Sequence, residues 1–119
     1  MIIGIGNDLV EISRFENMKN QPGFADRYFT EREVCASKGR PSFFAANFSV
    51  KESVSKVFGT GIRGFSLKEI EVLRDDFGKP YVNLYGRAEE LAGRLGIKKI
   101  HVSITDTSDF VMTMAVGED

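Results

Sequence analysis

The stretch from Ser42 to Gly61, SFFAANFSVKESVSKVFGTG, constrains this chain more than any other. It reads as a helix that Gly59 stops, with Ser42 able to cap its start. At about 100° per residue, Phe43, Ala46, Val50, Val54, Val57 and Phe58 fall in one apolar arc. Glu52 and Lys56 stand one turn apart on the opposite side, beside Ala45 and Ser49, with Phe44 and Phe48 flanking them. Such a helix packs on one side. On the other it offers a carboxylate and an ammonium over a floor of small residues. The same spacing also describes an i,i+4 surface pair worth about 0.2–0.5 kcal/mol, and helical geometry alone leaves both readings open.

A chain of 119 residues can bury a core without staples, and residues 1–119 read as one domain. With 16 Lys/Arg against 17 Asp/Glu, the near balance of charge argues against bulk, non-specific nucleic-acid binding. Cys35 is the only cysteine. An intrachain disulfide and a zinc site built on several thiolates are therefore excluded, and a reducing cytoplasm fits best. The opening MIIGIGNDLVEI is apolar but lacks a basic start and is interrupted by Asp8 and Glu11, so it reads neither as a signal peptide nor as a membrane span.

Ile2 to Gly6 reads as a short strand buried on both faces, with Gly4 and Gly6 allowing another backbone to come close. Asn7 and Asp8 follow where such a strand should end. Position alone favours Asp8 as a helix cap, with a metal ligand projecting from a strand end as the other reading. Val10 to Lys19 reads as an amphipathic helix containing Arg14 and Met18. After the break at Gln21-Pro22-Gly23, Phe24, Tyr28 and Phe29 resume an apolar pattern around Arg27. These residues are either core and solvated charge, or an arginine-aromatic surface for an acidic helix. Thr30 and Glu33 have capping-box spacing for a helix to about Ser37. Lys38-Gly39-Arg40-Pro41 is a basic turn, fit to bind phosphate or simply to stay soluble.

Gly59-Thr60-Gly61-Ile62-Arg63-Gly64 follows the main helix. Its glycines let backbone amides face an anion, but it is not a Walker loop, because the glycines come after a helix and no Lys-Ser/Thr pair follows them. Beyond it the pattern is a hairpin over Ile70–Tyr85, a helix over Arg87–Leu95, and strands over Ile100–Thr105 and Phe110–Val116. His101 is the only histidine. No second histidine serves Ser103 or Thr105, which argues against serine-hydrolase chemistry.

In this order the pieces resemble a family. GIGNDLVEISR, RPSFFAANFSVKESVSKVFGTGI, IEVLRDDFGKPYV and HVSIT are similar to successive signatures of the bacterial holo-acyl carrier protein synthases, which are 4′-phosphopantetheinyl transferases. The similarity runs over nearly the whole chain. It implies an α+β fold, mainly antiparallel sheet packed with helices, and a homotrimer with active sites between subunits. It implies transfer of phosphopantetheine from coenzyme A to a serine of apo-acyl carrier protein, releasing adenosine 3′,5′-bisphosphate, in service of fatty acid biosynthesis. Mg²⁺ is the implied metal.

Carried over residue by residue, the resemblance makes Asp8 and Glu52 the metal ligands, two hard carboxylates of the kind Mg²⁺ takes beside phosphate and water. Lys56 adds positive charge at the same phosphates. Glu52 can also take the serine proton, directly or through a metal-bound water, and the family leaves the base open. Gly59, Thr60 and Gly61 line the nucleotide, with Ser103 and Thr105 on the neighbouring strand edge. Lys38 and Arg40 match a basic loop that reaches a nucleotide on an adjacent subunit. Arg14, Met18, Phe24 and Arg27 match the docking surface for the carrier's acidic helix. A carrier-protein or coenzyme A binder without catalysis and a Mg²⁺-dependent pyrophosphohydrolase are the competing readings.

Two positions depart from the family pattern. Asn47 stands where an arginine is common, and Asp106 where a histidine is common; both lie on the nucleotide side. The expectation is a weakened or rearranged site for the 3′-phosphate of coenzyme A, with Arg63 or Lys38 substituting.

Overall fold

The computed structural model describes residues 1–119, the side chain of Lys19 excepted. Strand β1 (Ile2–Glu11), helices α1 (Phe24–Tyr28), α2 (Glu31–Ser37) and α3 (Pro41–Phe58), strands β2 (Ile70–Arg74) and β3 (Pro80–Leu84), helix α4 (Gly86–Arg94), and strands β4 (Lys99–Asp106) and β5 (Phe110–Glu118) follow one another. The long strands form an antiparallel sheet in the order β1-β5-β4, and β2 and β3 form a separate antiparallel hairpin. Asp75 closes that hairpin by accepting from the backbone N–H groups of Phe77 and Lys79, each at 2.9 Å.

Helix α3 lies across the inner face of the large sheet, and the glycines of β1 let it come close. A Cβ at Gly4 would sit 2.6 Å from the Val57 carbonyl oxygen, and one at Gly6 would overlap the carbonyl of Ser53. Hydroxyls reinforce the seam. Thr113 Oγ1 on β5 lies 2.8 Å from Ser49 Oγ and 2.7 Å from Ser53 Oγ, all three side chains being buried.

The N-terminal segment differs from expectation. β1 runs on through Asp8 to Glu11, where Glu11 pairs with Phe110, and the Ile12 N–H then donates to the Asp109 carbonyl at 2.9 Å. This pairing holds Val10 in the sheet. The helix expected over Val10–Lys19 is replaced by short 3₁₀ turns at Ile12–Phe15 and Met18–Asn20. Asp8 is thus mid-strand, opposite Thr113, and caps no helix. Nor is the strand buried on both faces, since Ile5 and Leu9 are more than half exposed.

The capping box is as expected. Thr30 and Glu33 each accept from the other's backbone N–H, at 3.2 and 3.0 Å. Ser42 does not cap α3. The helix starts at Pro41, two residues before the start that a Ser42 cap implies, with Arg40 as the cap residue; proline's missing N–H costs nothing in the first turn. Gly59 ends the helix at φ 76°, a left-handed conformation.

Burial of α3 extends well beyond the apolar arc. Asn47, Ser49, Lys51, Ser53 and Ser55 are buried as well, because the sheet covers one side of the helix while α2 and β2 cover another. The outer face of the large sheet carries Ile5, Leu9, Phe110, Met112 and Met114, all exposed in the single chain.

Candidate active site

Asp8 reaches the inner face of the sheet at the edge where β1 meets α3. From α3, Lys56 donates its Nζ hydrogen to the Asn7 carbonyl at 2.7 Å, and the same Nζ lies 3.9 Å from Asp8 Oδ1. Glu52, one turn before Lys56, is half-buried beside them. Burial pushes the Glu52 carboxyl above its ordinary value, and the Asp8 charge pushes it further the same way, while Lys56 and Arg14 pull it down. Two carboxylates that repel each other in a partly desolvated cleft are a donor set for a hard cation. Among the described residues no further acidic, histidine or cysteine side chain joins them to make a cluster of three. A hard cation held by these two carboxylates would take its remaining ligands from water and substrate oxygens.

Arg14 connects this pair to an aromatic surface. Its guanidinium carbon is 5.5 Å from the centroid of Phe48 and 6.0 Å from that of Phe15, and its charge acts on Glu52. Phe48 also meets Tyr28 edge-on at 6.1 Å, and Phe24 packs against both Phe15 and Tyr28. Met18, Phe24 and Tyr28 are half-buried and Arg27 is exposed, whereas Phe29 is core against Phe44. An arginine-aromatic surface therefore borders the carboxylate pair.

Other residues singled out by sequence are not gathered here by one chain. Gly59, Thr60 and Gly61 follow α3 at the Lys56 end and are exposed. Lys38 and Arg40 lie at the opposite end of a helix of 18 residues, about 27 Å away at the α-helical rise. Ser103 and Thr105 point from the outer face of β4, across from Met114 and Met112, whereas Asp8 pairs on the inner face with Thr113.

Sequence reasoning missed a buried polar network behind the site. Lys51, adjacent to Glu52, is fully buried; its Nζ donates to Glu33 Oε1 at 2.8 Å, to the Leu67 carbonyl at 3.0 Å and to the Ile70 carbonyl. Burial pulls the Lys51 ammonium below its ordinary value, against the favourable charge of Glu33. Asn47 Nδ2 donates to Glu33 Oε2 at 2.8 Å and to the Val72 carbonyl at 2.9 Å, and Asn47 Oδ1 accepts from Arg74 Nη2 at 2.9 Å. A lysine inside the sequence VKES carries no sign of burial. Only the packing of α2 and β2 against α3 reveals it.

Residues 4–115 match the 4′-phosphopantetheinyl transferase superfamily. A holo-[acyl-carrier-protein] synthase from Lachnoclostridium phytofermentans is 48% identical over 99% of this chain and 97% of its own. This chain belongs to the 4′-phosphopantetheinyl transferase superfamily. Solved members of the family share its architecture. The holo-[acyl-carrier-protein] synthase of Neisseria meningitidis superposes with a TM-score of 0.90 at 32% identity, covering 100% of both chains. That of Bacillus anthracis, solved in complex with CoA (3′,5′-ADP), gives 0.83 at 34% identity, covering 100% of this chain and 98% of its own. The α+β, mainly antiparallel fold expected of a phosphopantetheinyl transferase is therefore present.

For this transferase the geometry also locates one departure from the family pattern. Asn47 is fully buried and its amide is spent on Glu33, Val72 and Arg74. The cationic side chain beside it is Arg74. Neither Lys38 nor Arg63 lines the cavity that Asp106 and Arg74 share.

Proposed function

We infer that this protein transfers the 4′-phosphopantetheine group of coenzyme A to a serine of an apo-acyl carrier protein and releases adenosine 3′,5′-bisphosphate. The convergence of Asp8, Glu52 and Lys56 in one cleft between β1 and α3 carries the reading. The serine oxygen forms a bond to the phosphorus that bears the pantetheine. The bond from that phosphorus to the oxygen bridging toward the adenosine phosphate breaks, and the electron pair leaves on the bisphosphate. The serine proton passes to Glu52 or to solvent.

Asp8 and Glu52 would hold Mg²⁺, which when bound neutralises charge on the pyrophosphate and the departing phosphate. Lys56, anchored on the Asn7 carbonyl, presents a fixed ammonium to the same oxygens. Gly59, Thr60 and Gly61, one turn beyond Lys56, border the nucleotide. Arg14, Met18, Phe24 and Arg27 receive the acidic recognition helix of the carrier, which brings its serine to the cleft that Arg14 flanks.

Copies of the chain associate as a trimer through the outer sheet face. A contiguous apolar surface of Ile5, Leu9, Phe110, Met112 and Met114, between 41% and 63% exposed, supports this. Ser103 and Thr105 on that face, and Lys38 and Arg40 at the far end of α3, then meet the nucleotide of a neighbouring copy. No helix of the chain is long and apolar enough to cross a membrane, which fits work in the cytoplasm.

Intact-mass analysis of an apo-acyl carrier protein after incubation with this protein, coenzyme A and Mg²⁺ tests the reading. The expected result is a gain of one phosphopantetheine that a chelator abolishes. Coenzyme A consumed without any gain in the carrier's mass would show a hydrolase instead.

A further inference from the structure

Helix α3 is gripped on two opposite sides, and Glu52 projects between them. On the sheet side, Gly6 meets the Ser53 carbonyl, and Ser49 and Ser53 share the Thr113 hydroxyl. Lys51 lies about 160° round the helix from both serines. There its ammonium directs its three hydrogens to Glu33 Oε1 at 2.8 Å, to the Leu67 carbonyl at 3.0 Å and to the Ile70 carbonyl. Glu33 completes the grip from α2. Its Oε1 also accepts from the Thr30 N–H at 3.0 Å, and its Oε2 accepts from Asn47 Nδ2 at 2.8 Å and from the Val72 N–H at 3.3 Å.

The two grips do different things. The seam of glycines and short hydroxyls sets how close α3 lies to the sheet, but a helix resting on such a smooth seam can still roll. Directional bonds from the far side, to α2 and to the segment entering β2, oppose that roll. A roll of about 20° carries a carboxylate at about 6 Å from the axis through about 2 Å. That is a whole Mg²⁺–oxygen bond of about 2.0–2.1 Å, and Mg²⁺ tolerates little departure from octahedral geometry. Asp8 belongs to β1 and does not follow the helix, so the roll of α3 decides whether Asp8 and Glu52 can hold one cation. Burial disfavours the Lys51 charge, and apolar side chains would fill the same space without that cost. What they would lack is direction.

We propose that Glu33 and Lys51 are positioning residues for the transfer reaction: their buried ion pair fixes the roll of α3 and so holds Glu52 where it shares a cation with Asp8. The proposal rests on the metal and transferase reading above. Both side chains are fully buried and act through Glu52, not on substrate. Thr30, held by the same Glu33 oxygen, stands three residues beyond Arg27. The carrier surface and the metal ligands are therefore referenced to one carboxylate.

Two variants of the intact protein test this. Lys51→Met keeps an unbranched stem and removes the ammonium; Glu33→Asp keeps the charge and draws the carboxylate back by one methylene. Both are measured well below their own Tm, with circular dichroism checking the fold. Calorimetric titration with Mg²⁺ should show an affinity lower by about tenfold or more in each. The kcat of carrier phosphopantetheinylation should fall by a similar factor, with KM for the carrier nearly unchanged. If Lys51→Met does not fold, Glu33→Asp decides. A folded variant with a lowered Tm and wild-type Mg²⁺ affinity overturns the proposal, because the pair then only stabilises. A loss confined to KM for the carrier overturns it as well. Transfer by the wild type with Mg²⁺ affinity unmoved in the variants removes the positioning role and leaves the transferase standing. Weakened Mg²⁺ binding in the variants of a protein that transfers nothing does the reverse.

Discussion

Gly6 of β1 faces the Ser53 carbonyl of α3 with no room for a Cβ between them. That contact places Asp8, two residues further along the strand, beside Glu52 and Lys56. Gly6→Ala should push the strand off the helix. The expected cost is about 1–3 kcal/mol in a denaturant melt. The protein that remains folded should show weaker Mg²⁺ affinity, because Asp8 moves away from Glu52. Wild-type stability and metal affinity together in this variant would show that the seam does not position the carboxylates.

Glu52 stabilises no fold. With its carboxyl pushed up by burial and by Asp8, it contributes stability only while protonated, and that contribution is lost as pH rises through the raised value. Glu52→Gln should therefore raise the Tm of the metal-free protein at neutral pH while lowering transfer activity by about a hundredfold or more. Added Mg²⁺ should raise the Tm of the wild type and not that of the variant. A Tm lowered by Glu52→Gln would show that the charged carboxyl is structural.

Glu33 and Lys51 form an ion pair with both side chains fully buried. Glu33→Gln leaves the Lys51 ammonium without its counter-charge and should cost about 3–5 kcal/mol. The control is Arg32→Ala, which removes a largely exposed arginine 3.4 Å from Glu71 and should cost less than about 1 kcal/mol. Urea denaturation of the two variants, side by side, decides whether the buried pair holds α2 to α3.

Glu71 predicts how the protein responds to acid. Burial pushes its carboxyl up, but hydrogen bonds from Thr30, Asn83 and Tyr85 and the charge of Arg32 outweigh burial and hold it below the ordinary value. Its contribution is complete above the unfolded carboxylate pKa of about 4.3 and is lost as pH falls through its lower folded value. Tyr85→Phe, which removes one donor, should cost about 1 kcal/mol at pH 7. The gap to wild type should close as pH falls below about 4. A gap constant with pH would mean that Tyr85 acts through packing and not through the carboxylate.

Local chemistry made much of this protein legible from its sequence. Thr30 and Glu33, Gly59, the hairpin over β2 and β3 and the helix α4 all follow from short-range rules, because caps and turns are satisfied by residues a few positions apart. The ordered signatures around Asp8, Glu52 and Lys56 identified the family for the same reason: each is a short run of residues. What only the tertiary structure decided depends on neighbours distant in the chain. Pairing with β5 drew Asn7 to Glu11 into a strand and turned the expected helix at Val10 into 3₁₀ turns. Cover from α2 and β2 buried Lys51 and Asn47, which periodicity alone assigns to no apolar face. Arg74 lies over Phe43 with one nitrogen buried and, among the described residues, without a partner only because β2 brings it there, since an unsatisfied donor is a property of surroundings that no local pattern encodes.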